Sequence, residues 1–212
     1  MSTAMIWGAN GGIGRALVKQ LIAAGWTVLA VTHTPTNLDG LTPHVFDADA
    51  GAPYDVHVAI SAASQVVDEI NLWIYTAGDI TQSKVNEMEI DTWQRIMDAN
   101  LTGAFITTRY SLPLLAEDAH IFFVGAIHER LRLPRLSAYA AAKAGLEAFA
   151  ETLRKEERKK RVTVVRPGAV ATPFWEKTSM KLPTNALTAD TVASGIISAY
   201  ETKQKGNFDL TP

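Results

Sequence analysis

The sequence contains no cysteine. That absence excludes disulfides, thiolate nucleophiles and cysteine-ligated metal. No apolar run approaches the ~18 residues a membrane-spanning helix needs, and no basic stretch leads into an apolar signal core. Net charge is nearly absent as well, because 20 Lys and Arg face 22 Asp and Glu to leave −2. Such a balance gives no electrostatic ground for binding nucleic acid or a membrane surface. His33, His44, His57, His120 and His128 show no ligand spacing, so no metal site is expected. There is no internal repeat, low-complexity segment or linker. A cytoplasmic protein of one domain, residues 1–212, with a sizeable core is what remains.

What is present begins with Met5 to Leu17, MIWGANGGIGRAL. A few apolar residues suited to a buried strand break into Gly8, Gly11, Gly12 and Gly14, and a helical pattern resumes from Arg15. Glycine permits positive φ and close backbone approach, while free N–H groups and the helix dipole face negative charge. The cradle expected for a phosphate is therefore Gly8, Asn10, Gly11, Gly12, Ile13 and Gly14. The same pattern also serves as a plain turn between a strand and a helix. The spacing is neither G-x-G-x-x-G nor a P-loop.

Further along, apolar runs alternate with helical patterns. Strands are expected at Thr27–Val31, Val45–Asp47, Leu72–Tyr75, Ile121–Ile127, Val162–Val165 and Asn207–Leu210. Helices are expected over Ala16–Ala24, Tyr54–Glu69, a long one capped by Asp91 and bent or ended at Pro113, Ala138–Glu157, and Ala189–Glu201. This rhythm predicts an α/β fold: a doubly wound, Rossmann-type parallel sheet with helices on both faces in three αβα layers. Ligands of such sheets lie at the carboxyl ends of the strands. The turn Thr32-His33-Thr34-Pro35 is where such folds read an adenosine ribose. The run Arg154–Arg161 is charged, but as a solvated helix end it needs no nucleic acid.

Tyr139 and Lys143 stand four apart on an alanine-rich helix, which puts ammonium and phenol on one face. A nearby positive charge favours the phenolate, making the phenol a usable proton donor and acceptor. Taken alone, Tyr-x-x-x-Lys is common on helix surfaces.

Taken together, these residues resemble the short-chain dehydrogenase/reductase superfamily, from about Met5 to Leu210. Gly8, Gly12 and Gly14 match its glycine motif, with Trp7 where threonine is usual. Asp47, with Ala48 beside it, matches the acid on the adenine side, and Ala77-Gly78 matches the second half of an Asn-Asn-Ala-Gly turn. Asn100 matches the helix asparagine that keeps a water for proton relay. Tyr139 and Lys143 match the catalytic acid and the partner that also holds the nicotinamide ribose. Pro167, Gly168, Val170 and Thr172 match the turn after the sixth strand, where Thr172 would hold the carboxamide. The resemblance implies an NAD(P)-dependent oxidoreductase acting on a small carbonyl or secondary alcohol. It also implies a homo-oligomer, paired through the helices of Asn100 and Tyr139.

One departure matters. The family's catalytic serine falls at Ala126, and Gly125 precedes it. Ser137 stands where the family has a small residue of no catalytic role, and His128 is the nearest alternative donor. Slow turnover is therefore expected. A catalytically impaired dinucleotide-binding protein, acting as sensor or assembly partner, is the competing class. NADP is expected over NAD, because Thr32 and His33 put no acid at the end of the second strand to repel a 2′-phosphate. Phe174 and Trp175 follow Thr172 and either line an apolar pocket or simply pack; the segment Pro173–Leu187 is short for a substrate cover.

Overall fold

A computed structural model describes residues 2–34, 38 and 40–212. In chain order the elements are β1 (Thr3–Trp7), α1 (Gly12–Ala23), β2 (Thr27–Thr32), β3 (Val45–Asp47), α2 (Pro53–Ala63) and β4 (Ile70–Tyr75). There follow α3 (Ile90–Met97), a π turn at Asp98–Thr102, α4 (Gly103–Ser111), β5 (Leu115–Val124) and α5 (Ser137–Glu156). The chain continues through β6 (Arg161–Pro167), β7 (Val170–Ala171), β8 (Leu187–Thr188), α6 (Ala189–Glu201) and β9 (Gly206–Leu210).

Seven strands pair in the order β3-β2-β1-β4-β5-β6-β9, every pair parallel. Strand residues alternate between two cores, as the two-residue period of a strand requires. Met5, Trp7, Trp73 and Phe123 meet α2, α4 and α5 on one face. Ala4, Ile6, Leu72 and Phe122 meet α1 and α6 on the other. The expected Rossmann-type three-layer fold is present, and every strand ends at the same edge of the sheet. No helix among the described residues is long and apolar enough to cross a membrane.

Several boundaries differ from those read in the sequence. Helix α2 stops at Ala63 rather than Glu69. Asp91 lies in the first turn of α3 and is not its cap; that place is taken by Glu89, whose side chain makes no capping bond. Strand β5 starts at Leu115, ahead of the apolar run, because its exposed Glu117 and Asp118 interrupt the hydrophobic pattern without interrupting the strand. The pair β7 and β8 forms a small second sheet that two residues per strand cannot announce in sequence.

The buried polar core carries one titration. Thr163 Oγ1 donates its single proton to the Gln204 carbonyl at 2.8 Å, so it can only accept from His120 Nε2, 2.9 Å away. His120 Nδ1 in turn faces Arg161 Nε at 3.4 Å, where a second proton would meet a cation. Burial first, then Arg161, lowers the imidazole to about 3 from 6.5. In the unfolded chain the ring takes its proton near 6.5, whereas the folded chain refuses it until about 3. The stability this neutral ring confers is therefore complete above 6.5. Below that pH, unfolding free energy is expected to fall by about 1.4 kcal/mol per pH unit from this group. Urea melts at pH 7 and 4.5 check it: His120→Gln keeps a donor for Thr163, cannot be protonated, and should show a shallower acid loss. Equal slopes in both proteins would remove His120 from the account.

Candidate active site

The glycine turn is held by its own backbone. Gly8 N and Ala9 N donate to the Val31 carbonyl at 3.0 and 3.1 Å, and Gly11 N donates to Gly8 O at 3.0 Å. Gly8 sits at φ +79, the left-handed region, and a Cβ there would lie 2.6 Å from Ala77 N. A Cβ on Gly14 would lie 2.9 Å from Thr76 Oγ1, which itself donates to the Trp7 and Gly8 carbonyls at 2.8 and 3.1 Å. Gly12 faces Thr172, whose Cβ would stand 2.8 Å from an added one. The turn between β1 and α1 thus touches the turn after β4 and the segment after β7. The first turn of α1 has no side-chain cap and no acid. Among the described residues, a Cβ on Gly11 would meet only Gly8 O, at 3.3 Å. Uncapped N–H groups beside open space fit a phosphate of a dinucleotide.

On the β2 side, Thr32 O accepts from Ala48 N at 3.2 Å, and Asp47 pairs with Thr32 in the ladder with its side chain exposed. Asn10 Nδ2 reaches Thr34 Oγ1 at 3.0 Å, joining the glycine turn to the turn after β2. His33 is exposed. Pro35, the last residue of that turn, lies outside the described residues.

Asn100 sits in the π turn and is fully buried. The turn opens because Tyr75 inserts its hydroxyl there, donating to the Ala99 carbonyl at 2.8 Å. A side chain at Gly103 would collide with that hydroxyl, at 2.6 Å from a Cβ. Asn100 Nδ2 donates to Ile96 O at 2.8 Å and to Asp79 O at 2.7 Å, while Oδ1 is buried without a partner among the described residues. Both Asn100 Oδ1 and Lys143 Nζ come close to Gly78, 2.8 and 3.8 Å from where a Cβ would be. Lys143 Nζ donates to the Val124 carbonyl at 3.0 Å, at the very end of β5.

Lys143 lies over the Tyr139 ring, 5.6 Å from its centroid. The shared helix face read from the spacing is real, but the electrostatic expectation is reversed. Burial pushes the phenol up, and burial also lowers the Lys143 ammonium to about 8. Desolvation wins over attraction because both groups are enclosed and neither makes a charge-assisted bond to the other. Tyr139 is also covered by Phe174, with ring centroids 5.7 Å apart. Phe174 belongs to the 3-10 turn Pro173–Lys177, while Trp175 Nε1 donates to the Val170 carbonyl at 2.8 Å. Of the two aromatics, one faces the candidate site and the other holds the segment's own fold.

Tyr139, Lys143, Asn100, Ala77 and Gly78 therefore converge with the glycine turn and Thr172. Pro167 and Gly168 stand further along the same edge, where Pro167 pairs with Leu210 and Gly168 N donates to Leu210 O at 2.8 Å. Ala126 lies just past β5 and is half-buried; the side chain of His128 lies outside the described residues. The sequence ends a strand at Tyr75 and puts Thr76 in a turn that could face a ligand, but the bonds of their side chains, and that of the Val124 carbonyl, are spelled out by no motif. Sequence reasoning missed Asp79, whose place directly after Gly78 was a usable signal. The cationic run at the end of α5 is tied down internally: Arg154 Nε donates to Val162 O at 3.0 Å, and Lys159 pairs with Glu117.

A glycine turn and an uncapped helix at the carboxyl edge of a doubly wound parallel sheet define the Rossmann-type class of α/β proteins. Within that class the chain belongs to the short-chain dehydrogenase family, whose model matches residues 2–182. It is 27% identical over 214 residues to 3beta-hydroxysteroid dehydrogenase 1 of Eggerthella lenta, covering 94% of this chain and 82% of that protein. An alcohol dehydrogenase of the archaeon Thermococcus sibiricus, solved with 5-hydroxy-NADP, superposes with a TM-score of 0.91 at 19% identity, covering 100% of this chain and 96% of that one. A 3-ketoacyl-(acyl-carrier-protein) reductase of Brucella melitensis complexed with NADH gives 0.88 at 20%, covering 99% and 96%. At such identities the likeness is one of fold.

Proposed function

We propose that this chain is an NAD(P)-dependent oxidoreductase that interconverts a small carbonyl compound and its secondary alcohol. The observation that carries this reading is the burial of Tyr139, Lys143 and an incompletely bonded Asn100 together beside the glycine turn. When bound, the nicotinamide ring supplies or accepts the hydride. The backbone of Gly8, Asn10, Gly11, Gly12, Ile13 and Gly14 would hold its phosphates. Thr32, His33, Asp47 and Ala48 would hold the adenosine, and Ala77, Gly78, Pro167, Gly168, Val170 and Thr172 the rest. Tyr139 donates a proton to the carbonyl oxygen in reduction, which suits a phenol kept neutral by burial. Lys143 stays cationic below about 8 and holds positive charge beside that oxygen. Asn100 Oδ1, buried and unbonded, has the free acceptor that a proton path through water requires.

NADPH is the preferred cofactor, since Thr32 and His33 present no carboxylate to a 2′-phosphate. Both dissociation constants at one salt concentration, measured alongside turnover of a panel of ketones and aldehydes, test the reading. Tight binding with no turnover would leave the second reading, a dinucleotide-binding protein with little catalysis. The methyl group of Ala126, where the family resemblance places a serine, is the observation that favours it. The chain is further proposed to self-associate through α4 and α5, where Phe105 and Ala141 are exposed. A monomer by light scattering at micromolar concentration would refute that.

A further inference from the structure

The structure assigns Asp79 a role beyond its backbone bond to Asn100: we propose that it is a positioning residue that latches the 173–180 segment over Tyr139. The inference rests on the oxidoreductase reading, because that reading makes Tyr139 the site of chemistry.

Asp79 is fixed on the catalytic side. Its backbone carbonyl accepts from Asn100 Nδ2 at 2.7 Å, and its side chain is only 10% exposed. One carboxylate oxygen accepts from Lys177 Nζ at 2.6 Å, and the other pairs with Arg95. Arg95 is braced by a second bond, Nη2 to Thr81 Oγ1 at 2.8 Å. Lys177 belongs to the same 3-10 turn as Phe174, which covers the Tyr139 ring. A second tie lies beside the first: Ser179 N and Oγ both donate to Gln82 Oε1, at 2.8 and 2.6 Å.

The asymmetry of burial identifies the moving partner. The Lys177 side chain is 56% exposed, so losing its partner leaves a cation that water solvates readily. Asp79, enclosed and held through Asn100, has no such freedom. Breaking the pair therefore loosens the segment and Phe174 with it, leaving Ser179–Gln82 as the weaker, exposed tie, while the sheet and the glycine turn stay intact. Because the pair is half-exposed, added salt weakens it too.

The test uses the full chain with Lys177→Gln, Lys177→Arg, Asp79→Asn and the double variant Asp79→Asn/Lys177→Gln. The first readout needs no activity: the rate of tryptic cleavage after Lys181, followed by mass spectrometry at low salt. Lys177→Gln and Asp79→Asn should each raise that rate about fivefold, the weight of a half-exposed ion pair, and the double variant no further. Lys177→Arg should keep the parent rate. The second readout is turnover of a neutral ketone. KM should rise about fivefold in Lys177→Gln with kcat within about twofold, because an open segment weakens substrate binding and leaves the proton donor in place. KM of the parent should also rise with salt, and that of Lys177→Gln should not. Unchanged cleavage in Lys177→Gln, or single effects that add in the double variant, overturns the latch. If no carbonyl is turned over by any variant, the oxidoreductase reading fails, and the cleavage rates still decide the latch. Should Asp79→Asn not fold, Lys177→Gln against Lys177→Arg carries the comparison, since both change an exposed side chain.

Discussion

Tyr139→Phe is expected to lower kcat by at least about 10²–10⁴-fold, the contribution of a positioned proton donor. Cofactor affinity should stay within about twofold, because only one oxygen is removed and the ring keeps its contacts with Phe174 and Lys143. The pH profile of the parent carries a matching signature. Burial raises the phenol, so Tyr139 remains a donor throughout the neutral range. Lys143, lowered to about 8 by burial, loses its charge as pH rises through that value, and reduction should slow there. Steady-state reduction of a ketone between pH 6 and 9, with cofactor binding measured on the same samples, checks both statements. Activity in Tyr139→Phe close to that of the parent would remove the phenol from the mechanism.

Ala126→Ser is expected to work in the opposite direction. A preorganised donor at a developing oxyanion contributes about 10²–10³ in rate, and the family resemblance would place that donor at Ala126, which carries only a methyl group. Ala126 lies just past β5 and is half-buried, so its side chain is not sealed in the core. We expect slow turnover of unactivated ketones by the parent and a rise of about 10²-fold in kcat/KM for Ala126→Ser. Cofactor affinity should hardly change. A fast parent that gains nothing from the serine would mean that another group supplies the bond. His128→Ala is then the variant to make. A binder that has lost its catalytic pocket would also gain nothing, but from a baseline near zero, so the two outcomes are distinct.

What the sequence discloses here follows the range of the forces involved. Strand and helix order was legible because apolar periodicity is local, and so was the i, i+4 pairing of Tyr139 with Lys143. The contact of Gly8 with Ala77 was not, although the need for glycine was. A glycine reports that something approaches, never what. The sign of the Tyr139 shift was misread for a related reason: spacing shows a neighbouring charge but not the loss of water around both groups. Asp79, Lys177 and Arg95 were invisible as a set because the first two lie 98 positions apart and meet only through the fold. Asn100 was read from its resemblance, yet the turn that aims it depends on the hydroxyl of Tyr75, from a strand far away in sequence.

That turn also sets a counting rule for the helix it interrupts. A π turn holds one residue more than an α-helix following the same path, and each residue advances a helix by about 100°. Ahead of it Ile96 packs beside Tyr139; beyond it Ala104 and Ile106 pack into the sheet core. The two halves are thus out of phase by one residue, and each faces the surface its phase dictates. Deleting a single residue between 98 and 102 would let a regular α-helix follow the same path, with Ala104 and Ile106 still on the sheet. What would be lost is the opening that admits the Tyr75 hydroxyl and sets Asn100 beside Asp79. The extra residue therefore serves the site and not the packing of the helix, and its loss would be felt at Asn100 before it reached the sheet core.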